Sequence, residues 1–178
     1  MIRLGRGKWK GHILRPSSHL CRPTSSLVRG AFLDIAGFSL VNHATVWDLC
    51  SGTGAVGIEA LSWGASECVF VDINPLAASF IYSAIRELGA AAYTLVLKGD
   101  VRKLVPKLDS KPDIVFIDPP YDHHKLYEWI DSVDWKRILS EDGMVFAECG
   151  TEAILQHDWK MRKYGGTHLM WKVLKETE

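Results

Sequence analysis

Short apolar runs alternate with amphipathic segments along most of the chain. The runs are bounded by Gly, Pro, Asn or Asp, which is typical of buried parallel strands. They span residues 45–50, 68–71, 93–97, 115–117 and 143–149. Helical periodicity lies between them, at residues 26–36, 58–63, 75–88, 101–106 and 125–135. Strands that alternate with helices predict a doubly wound α/β sheet.

The last part of the chain has a different pattern. Residues 160–172 predict a β-hairpin that turns near Gly165 and Gly166. The final strand would then be antiparallel to its neighbours, which the sheet of a dinucleotide-dependent oxidoreductase does not need.

Composition predicts one globular domain. The chain has 178 residues, of which 47% are hydrophobic and 24% charged, values ordinary for such a domain. It has no apolar run long enough to span a membrane and no signal segment, so we expect a cytoplasmic protein.

The four cysteines are widely spaced, which favours reduced, mostly buried thiols over disulfides or a metal site. They are Cys21, Cys50, Cys68 and Cys149.

The net charge of zero conceals an asymmetry. Residues 1–33 contain seven of the 21 Lys and Arg residues and no acidic residue, whereas the remainder carries all 21 Asp and Glu residues. We therefore interpret residues 1–25 as a basic arm that binds the phosphate backbone of a nucleic acid, with Lys8 and Lys10 among its contacts. Between them, Trp9 either stacks on a base or holds the arm on the body.

The end of this arm leads into the first predicted helix. Thr24 or Ser25 is a suitable N-cap. Together with Arg22 and Arg29, these hydroxyls are candidates to hold a phosphate or carboxylate of the substrate.

A glycine-rich turn follows the first predicted strand. Gly52, Gly54 and Gly57 match the G-x-G-x-x-G pattern, in which the backbone comes close to a ligand. Asp72 ends the next strand and is placed to bind the hydroxyls of an adenosine ribose. After the third strand, Asp100 either accepts a hydrogen bond from the adenine amine or caps a short helix. These features do not separate NAD from S-adenosylmethionine.

The strongest chemical signal is residues 115–121, Val-Phe-Ile-Asp-Pro-Pro-Tyr. The prolines end the strand and leave Asp118 and Tyr121 at its carboxyl end, where open α/β sheets bind ligands. The Asp118 carboxylate and the Pro119 carbonyl, which Pro120 keeps extended, can each accept one N–H of an exocyclic base amine. Such acceptors favour the positive charge that develops as the amine attacks an electrophile, and Tyr121 can stack on the base. The alternative is a strand-end turn in which Asp118 caps and Tyr121 packs.

Residues 118–121 resemble the Asp/Asn-Pro-Pro-Tyr/Phe signature of amino-methyltransferases. Nearly the whole chain is similar to the bacterial 16S rRNA guanine-N2 methyltransferases of the small-subunit methyltransferase D type. The matching segments are residues 7–11, 22–25 with 28–29, 48–54 continuing to 57–62, 118–121 and 163–165. The chain departs from the family pattern at Ser26, Leu27 and Gly30, where Asp, Arg and Glu are usual, so one charge pair is lost.

The resemblance implies a Rossmann-like class I methyltransferase with a seven-stranded, mostly parallel sheet and an antiparallel terminal hairpin, the catalytic domain covering residues 26–178. It implies S-adenosylmethionine as methyl donor, no metal, and 16S rRNA as partner, within the 30S subunit or an assembly intermediate, with the protein acting as a monomer. Asp118, Pro119, Pro120 and Tyr121 would be catalytic. The implied cofactor contacts are Asp48, Cys50, Ser51, Gly52, Thr53 and Gly54 for the methionine part, Asp72 and Ile73 for the ribose, and Asp100 and Val101 for the adenine.

Three other functions remain open at this point. A DNA adenine or cytosine amino-methyltransferase shares the Asp-Pro-Pro-Tyr motif but usually has an added target-recognition domain, for which a chain of this length leaves no room. An NAD(P)-dependent oxidoreductase would use the glycine pattern but leaves the motif and the basic arm unexplained. A non-catalytic RNA-binding assembly factor would show no methyl transfer.

Overall fold

The central feature of the computed structural model is a seven-stranded sheet with the order β5-β4-β3-β6-β7-β9-β8. The structure describes residues 1–18, 20, 23–150, 155–156 and 158–174. The five strands from β5 to β7 are parallel, and β9 pairs antiparallel with both β7 and β8. The strands are β3 (Thr45–Leu49), β4 (Glu67–Asp72), β5 (Thr94–Lys98), β6 (Ile114–Ile117), β7 (Met144–Gly150), β8 (Lys160–Tyr164) and β9 (Thr167–Val173). The predicted fold class is confirmed, including the antiparallel terminal hairpin.

Helices cover both faces of this sheet. The helices are α1 (Ser26–Ala36), α2 (Phe38–Val41), α3 (Ala55–Trp63), α4 (Pro75–Glu87), α5 (Val101–Leu104), α6 (His124–Ser132) and α7 (Trp135–Ile138). Helices α1 to α4 bury apolar side chains against one face, and α5 to α7 against the other. Phe32 of α1 packs edge-on against Phe116 and Phe146, with ring centroids 5.1 and 4.9 Å apart. This contact fixes α1 over the strands whose carboxyl ends carry the site.

The single helix predicted for residues 125–135 is wrong in its extent. Helix α6 ends at Ser132, because Val133 has an extended backbone with ψ of 130°. A new helix, α7, then begins at Trp135, whose indole N–H donates to the Ile130 carbonyl at 3.0 Å. The apolar periodicity continues through the break, so the pattern alone did not reveal it.

The N-terminal residues pack on the domain. Strands β1 (Ile2–Arg3) and β2 (Ile13–Leu14) form an antiparallel pair in which Ile2 and Leu14 are buried. The intervening turn contacts the end of α3, where the Trp9 N–H donates to Ser62 Oγ at 2.9 Å. Gly7, with φ of +73°, approaches so closely that an added Cβ would lie 1.6 Å from the Ser62 carbonyl oxygen. Trp9 itself is half-buried against the core, so of its two interpretations the structure shows the packed one.

Candidate active site

The Asp-Pro-Pro-Tyr segment begins where β6 leaves the sheet. The Asp118 N–H makes a last bond to the Leu49 carbonyl at 3.2 Å, and the two prolines then end the pairing. The Asp118 carboxylate accepts a hydrogen bond from the Thr24 hydroxyl at 2.9 Å. Because Thr24 directly precedes the Ser25 cap of α1, the segment before α1 forms one wall of the site.

Tyr121 is held at its far end. Its hydroxyl lies 3.2 Å from Glu148 Oε1 and 3.3 Å from Thr167 Oγ1, while half of the residue (51%) remains exposed. Gly150 lies alongside the ring, where an added Cβ would be 3.1 Å from Tyr121 Cγ. The ring is therefore fixed in orientation and accessible, as a stacking platform requires.

A buried tyrosine supports the Pro119 carbonyl from behind. The Tyr127 hydroxyl, on α6, donates to the Pro119 oxygen at 3.4 Å. A carbonyl oxygen has two lone pairs, so this bond leaves one for a ligand.

Two carboxylates lie close together beside this segment. The side chains of Phe116 and Phe146 lie on the α1 side of the sheet, so the alternation along β6 and β7 places Asp118 and Glu148 on that side as well. Burial and then the charge of Glu148 raise the pKa of Asp118 well above its usual value, and the Thr24 hydrogen bond opposes the rise. This part of the sheet edge is thus rich in hydrogen-bond acceptors.

The glycine-rich turn is fixed by its own backbone. Cys50, Gly52 and Gly54 have φ of 57°, 53° and 68°, which is the left-handed region. The Ser51 hydroxyl donates to the carbonyls of Asp48 and Val71, and the Gly54 N–H donates to the Ser51 carbonyl at 2.7 Å. Helix α3 begins directly after this turn.

Asp72 connects the turn to the end of β4. Its Oδ2 accepts the Gly52 N–H at 2.7 Å and its Oδ1 accepts the Asn74 N–H at 2.8 Å. Ile73 follows it and is 71% exposed, so an apolar surface is available next to the carboxylate.

Four carboxylates converge on the glycine-rich turn. Burial, followed by the charges of Asp72, Asp118, Asp48 and Asp100, raises the pKa of the Cys50 thiol far above its usual value. All four acids belong to the carboxyl edge of the parallel strands. Asp48 keeps its proton at neutral pH, so the negative charge of the cluster comes from the other acids, and this charge suits a cationic ligand and disfavours a pyrophosphate.

Comparison with known proteins assigns the chain to one family. The model of the family described as Conserved hypothetical protein 95 matches residues 2–172. The chain belongs to this family. A Bacillus subtilis relative, named as a candidate rRNA methyltransferase, YlbH, is 30% identical over 158 residues, covering 86% of this chain and 85% of the relative. Ribosomal RNA small subunit methyltransferase D of Escherichia coli is 26% identical, covering 85% of this chain and 76% of that protein.

The fold is shared with a solved RNA methyltransferase of Salinibacter ruber in complex with S-adenosyl-L-homocysteine. The two superpose with a TM-score of 0.66 at 19% identity, covering 88% of this chain and 96% of the other.

One substrate contact predicted for this family member is corrected by the structure. Arg29 is only 3% exposed, and its guanidinium pairs with the buried Glu59. Its remaining nitrogens donate to the carbonyls of Thr24 at 2.6 Å and Arg3 at 3.0 Å. Arg29 therefore holds the N-terminal residues together and is not presented to a phosphate.

Lys8 and Lys10 lie away from Asp118. The turn that carries these lysines contacts the last residues of α3. Helix α3 starts at the carboxyl edge of the sheet and runs back toward the amino edge. Nine helical residues span roughly 13 Å. The Lys8 ammonium bonds to the hydroxyl of Tyr93, which directly precedes β5 and so marks the amino edge. Both lysines therefore lie at the other edge of the sheet from Asp118.

The other predicted contacts have mixed outcomes. Ser25 caps α1, accepting the Val28 N–H at 3.2 Å, whereas Arg22 lies outside the described residues. Asp100 caps α5 and pairs with Arg102 through both oxygens, which lowers its pKa. Its contact with adenine stays a prediction, as does that of the buried Val101.

The sequence interpretation missed Glu148 and Tyr127. The sequence did contain a signal for Glu148. It is the single acid in the apolar run of β7, and the alternation of side chains places it on the same face of the sheet as Asp118, which follows β6. Tyr127 gave no such signal, since it falls within the apolar side of an ordinary amphipathic helix.

Replacing Gly57 by Ala is expected to lower the free energy of unfolding by about 1–3 kcal/mol, the usual range for overpacking. The added Cβ would lie 2.5 Å from Phe70 Cε1 and 2.6 Å from Cys68 Sγ, where α3 approaches β4. Denaturant unfolding measures the change. Gly30→Ala is the matched control, since Gly30 is also helical and the nearest atom would be 3.9 Å away. Equal effects at both positions would show that close packing at Gly57 is not needed.

Replacing Asp48 by Asn is expected to stabilise the fold increasingly as pH rises from about 4 to about 8. Asp48 is buried, and burial raises its pKa from 3.8 to about 8, with the Gly57 N–H opposing the rise. Across that window the unfolded chain loses the Asp48 proton while the folded protein keeps it, so wild-type stability falls with pH. Melting temperatures across this range test the prediction, with exposed Asp122→Asn as control. A difference between wild type and Asp48→Asn that does not change with pH would contradict it.

Proposed function

We propose that this protein uses S-adenosylmethionine to methylate the exocyclic N2 amine of a guanine in 16S rRNA. The observation that carries the proposal is the arrangement of Asp118 and the Pro119 carbonyl at the end of β6, directly beside an acidic, glycine-rich turn. The E. coli relative, named as a ribosomal RNA small subunit methyltransferase, supports the substrate.

The residues around the glycine-rich turn fit the methyl donor. S-adenosylmethionine carries a positive sulfonium and a positive ammonium, which the carboxylates around Cys50 favour. Residues 48–54 would hold its methionine part, Asp72 and Ile73 the ribose, and Asp100 with Val101 the adenine. Bound there, the donor supplies an electrophilic methyl group. The same carboxylates disfavour the pyrophosphate of NAD(P). The S-adenosyl-L-homocysteine in the Salinibacter ruber structure supports S-adenosylmethionine as the methyl donor.

The target base would be turned out of the RNA and stacked on Tyr121. Asp118 accepts one N–H of its amine and the Pro119 carbonyl accepts the other, which favours the charge that develops on nitrogen. The Tyr127 hydroxyl keeps the carbonyl in place. The amine loses one proton after the new bond forms. Asp118, whose pKa is raised by burial and by Glu148, is suited to receive it.

The pair of carboxylates supports guanine as the base. Guanine presents N2–H and N1–H side by side, two donors that match Asp118 and Glu148. Adenine and cytosine place an acceptor nitrogen next to their amine, so the amine is the only donor that they would offer to the pair. A site built for two donors discriminates strongly against such bases. The DNA adenine or cytosine alternative is therefore less consistent with this site.

The substrate would be the 30S subunit or an assembly intermediate, with the protein acting as a monomer in the cytoplasm. The N-terminal cations would contact phosphates distant from the target base. In the part of the chain that the structure describes, no helix is long and apolar enough to cross a membrane.

Methyl transfer from tritiated S-adenosylmethionine tests the proposal. The purified protein is incubated with 30S subunits from a strain that lacks the modification, with naked 16S rRNA and with duplex DNA. We expect label in 16S rRNA, and the particle and naked RNA arms identify the physical substrate. Label only in DNA would support the DNA amino-methyltransferase. No label, with cofactor binding shown by calorimetry, would favour a binding protein without activity.

A further inference from the structure

Thr24 makes the hydrogen bond that fixes the carboxylate of the Asp-Pro-Pro-Tyr segment. Its Oγ1 lies 2.9 Å from Asp118 Oδ2, although the two residues are 94 positions apart. Among the described side chains, Thr24 alone donates a hydrogen bond to this carboxylate. Asp118 Oδ1 is therefore left for another donor.

The position of Thr24 is itself fixed from the protein interior. Arg29 donates to the Thr24 carbonyl at 2.6 Å, and the buried Glu59 holds Arg29. Ser25, not Thr24, caps α1, so the Thr24 hydroxyl is not required to form the helix. Its bond to Asp118 is consequently the contact for which this side chain is placed.

The surroundings of Asp118 make this donor important. Among the described residues, every titratable group that acts electrostatically on Asp118 or feels its charge is an acid or a weakly acidic group, and none is a cation. They are Glu148 and Cys149 from β7, Asp48 from β3, Cys50 from the glycine-rich turn, Tyr121 from its own loop and Tyr127 from α6. A hydroxyl that donates to Asp118 favours the ionised form, which is the form that accepts an amine N–H.

We propose that Thr24 is a positioning residue for methyl transfer, whose hydroxyl holds one oxygen of Asp118 so that the other oxygen is directed at the target amine. This role rests on the proposed function, and it places part of the catalytic apparatus in the N-terminal segment, outside the glycine-rich turn and the Asp-Pro-Pro-Tyr motif. In this role Thr24 faces Asp118, whereas the sequence predicted that Thr24 holds a phosphate or carboxylate of the substrate.

Two variants separate hydrogen bonding from packing. Thr24→Val keeps the shape and removes the donor, and Thr24→Ser keeps the donor and removes a methyl group. For each variant and for wild type, the Asp118 carboxyl is titrated by ¹³C NMR, with Asp118→Asn identifying its signal. The kcat for methyl transfer is measured between pH 5.5 and 9, together with the Kd for S-adenosylmethionine and the melting temperature.

In Thr24→Val, we expect the Asp118 pKa and the acid limb of the kcat profile to move upward together by roughly one pH unit, the scale of one hydrogen bond to a charged group. At neutral pH kcat should fall roughly tenfold, with the Kd for the cofactor unchanged. Thr24→Ser should restore the pKa and most of kcat.

An unchanged titration in Thr24→Val would overturn the proposal, and so would a loss in Thr24→Ser equal to that in Thr24→Val. Failure of the proposed function would give a different result from failure of the Thr24 proposal, because the wild-type protein itself would then transfer no methyl group. In that case the role in catalysis is rejected as well, while the NMR titration still decides whether Thr24 controls the Asp118 charge.

Discussion

Replacing Asp118 by Ala is expected to lower the turnover number for methyl transfer by at least ~100-fold, the scale of losing one transition-state acceptor. Asp118 supplies one of the two acceptors for the target amine and the carboxyl suited to take its proton. It lies on the base side of the site, so the affinity for S-adenosylmethionine should change little. Single-turnover kinetics and calorimetry measure the two quantities separately.

Asp122→Ala is the matched control for this variant. Asp122 belongs to the same loop, four residues further along, but is exposed. Its removal should leave turnover within about twofold of wild type, as is usual for surface positions away from a site. Retention of full turnover in Asp118→Ala, or an equal loss in both variants, would contradict the role given to Asp118.

Replacing Arg29 by Met is expected to lower the free energy of unfolding by about 3–5 kcal/mol, because removing one partner leaves the Glu59 charge buried without compensation. The two side chains are 4% and 5% exposed. Glu59 would keep only the Gly5 N–H, at 2.7 Å, among the hydrogen bonds seen here. The loss would also release β1 and the segment that carries Thr24, so methyl transfer should fall as well.

A double-mutant cycle isolates this pair. Arg29→Met combined with Glu59→Gln should cost clearly less than the sum of the two single changes, as measured by denaturant unfolding. Asp34→Asn removes the exposed ion pair between Arg6 and Asp34, whose side chains are 30% and 65% exposed, and should cost no more than about 1 kcal/mol. If Arg29→Met is no more costly than Asp34→Asn, then the buried pair does not anchor the N-terminal segment.

Local signals in the sequence were sufficient for the fold and for the place of the Asp-Pro-Pro-Tyr segment in it. An apolar run that ends in Asp-Pro-Pro can hardly continue as a central strand, so the position of Asp118 at the sheet edge followed from backbone chemistry alone. The left-handed turn at Gly52 and Gly54 followed in the same way from glycine conformations.

The contacts that complete the site depend on partners distant in sequence. Arg29 looked like an exposed cation because residues 1–33 contain no acid, and its partner Glu59 is 30 residues away on another helix. Thr24 reaches Asp118 across 94 residues, and Glu148 lies beside it only through the β6–β7 pairing. Such pairings are set by tertiary packing, so residue type and spacing could not predict them.

The identity of the methylated nucleoside distinguishes methylation of guanine N2 from methylation of another base or another position. After reaction with S-adenosylmethionine, the 16S rRNA is digested to nucleosides, and the new methylated species is identified by mass spectrometry against standards. We expect N2-methylguanosine at one position, and its absence when Asp118 is replaced by Ala. N6-methyladenosine, N4-methylcytidine or a guanosine methylated at any position other than N2 would contradict the assignment of Asp118 and Glu148 to the guanine edge.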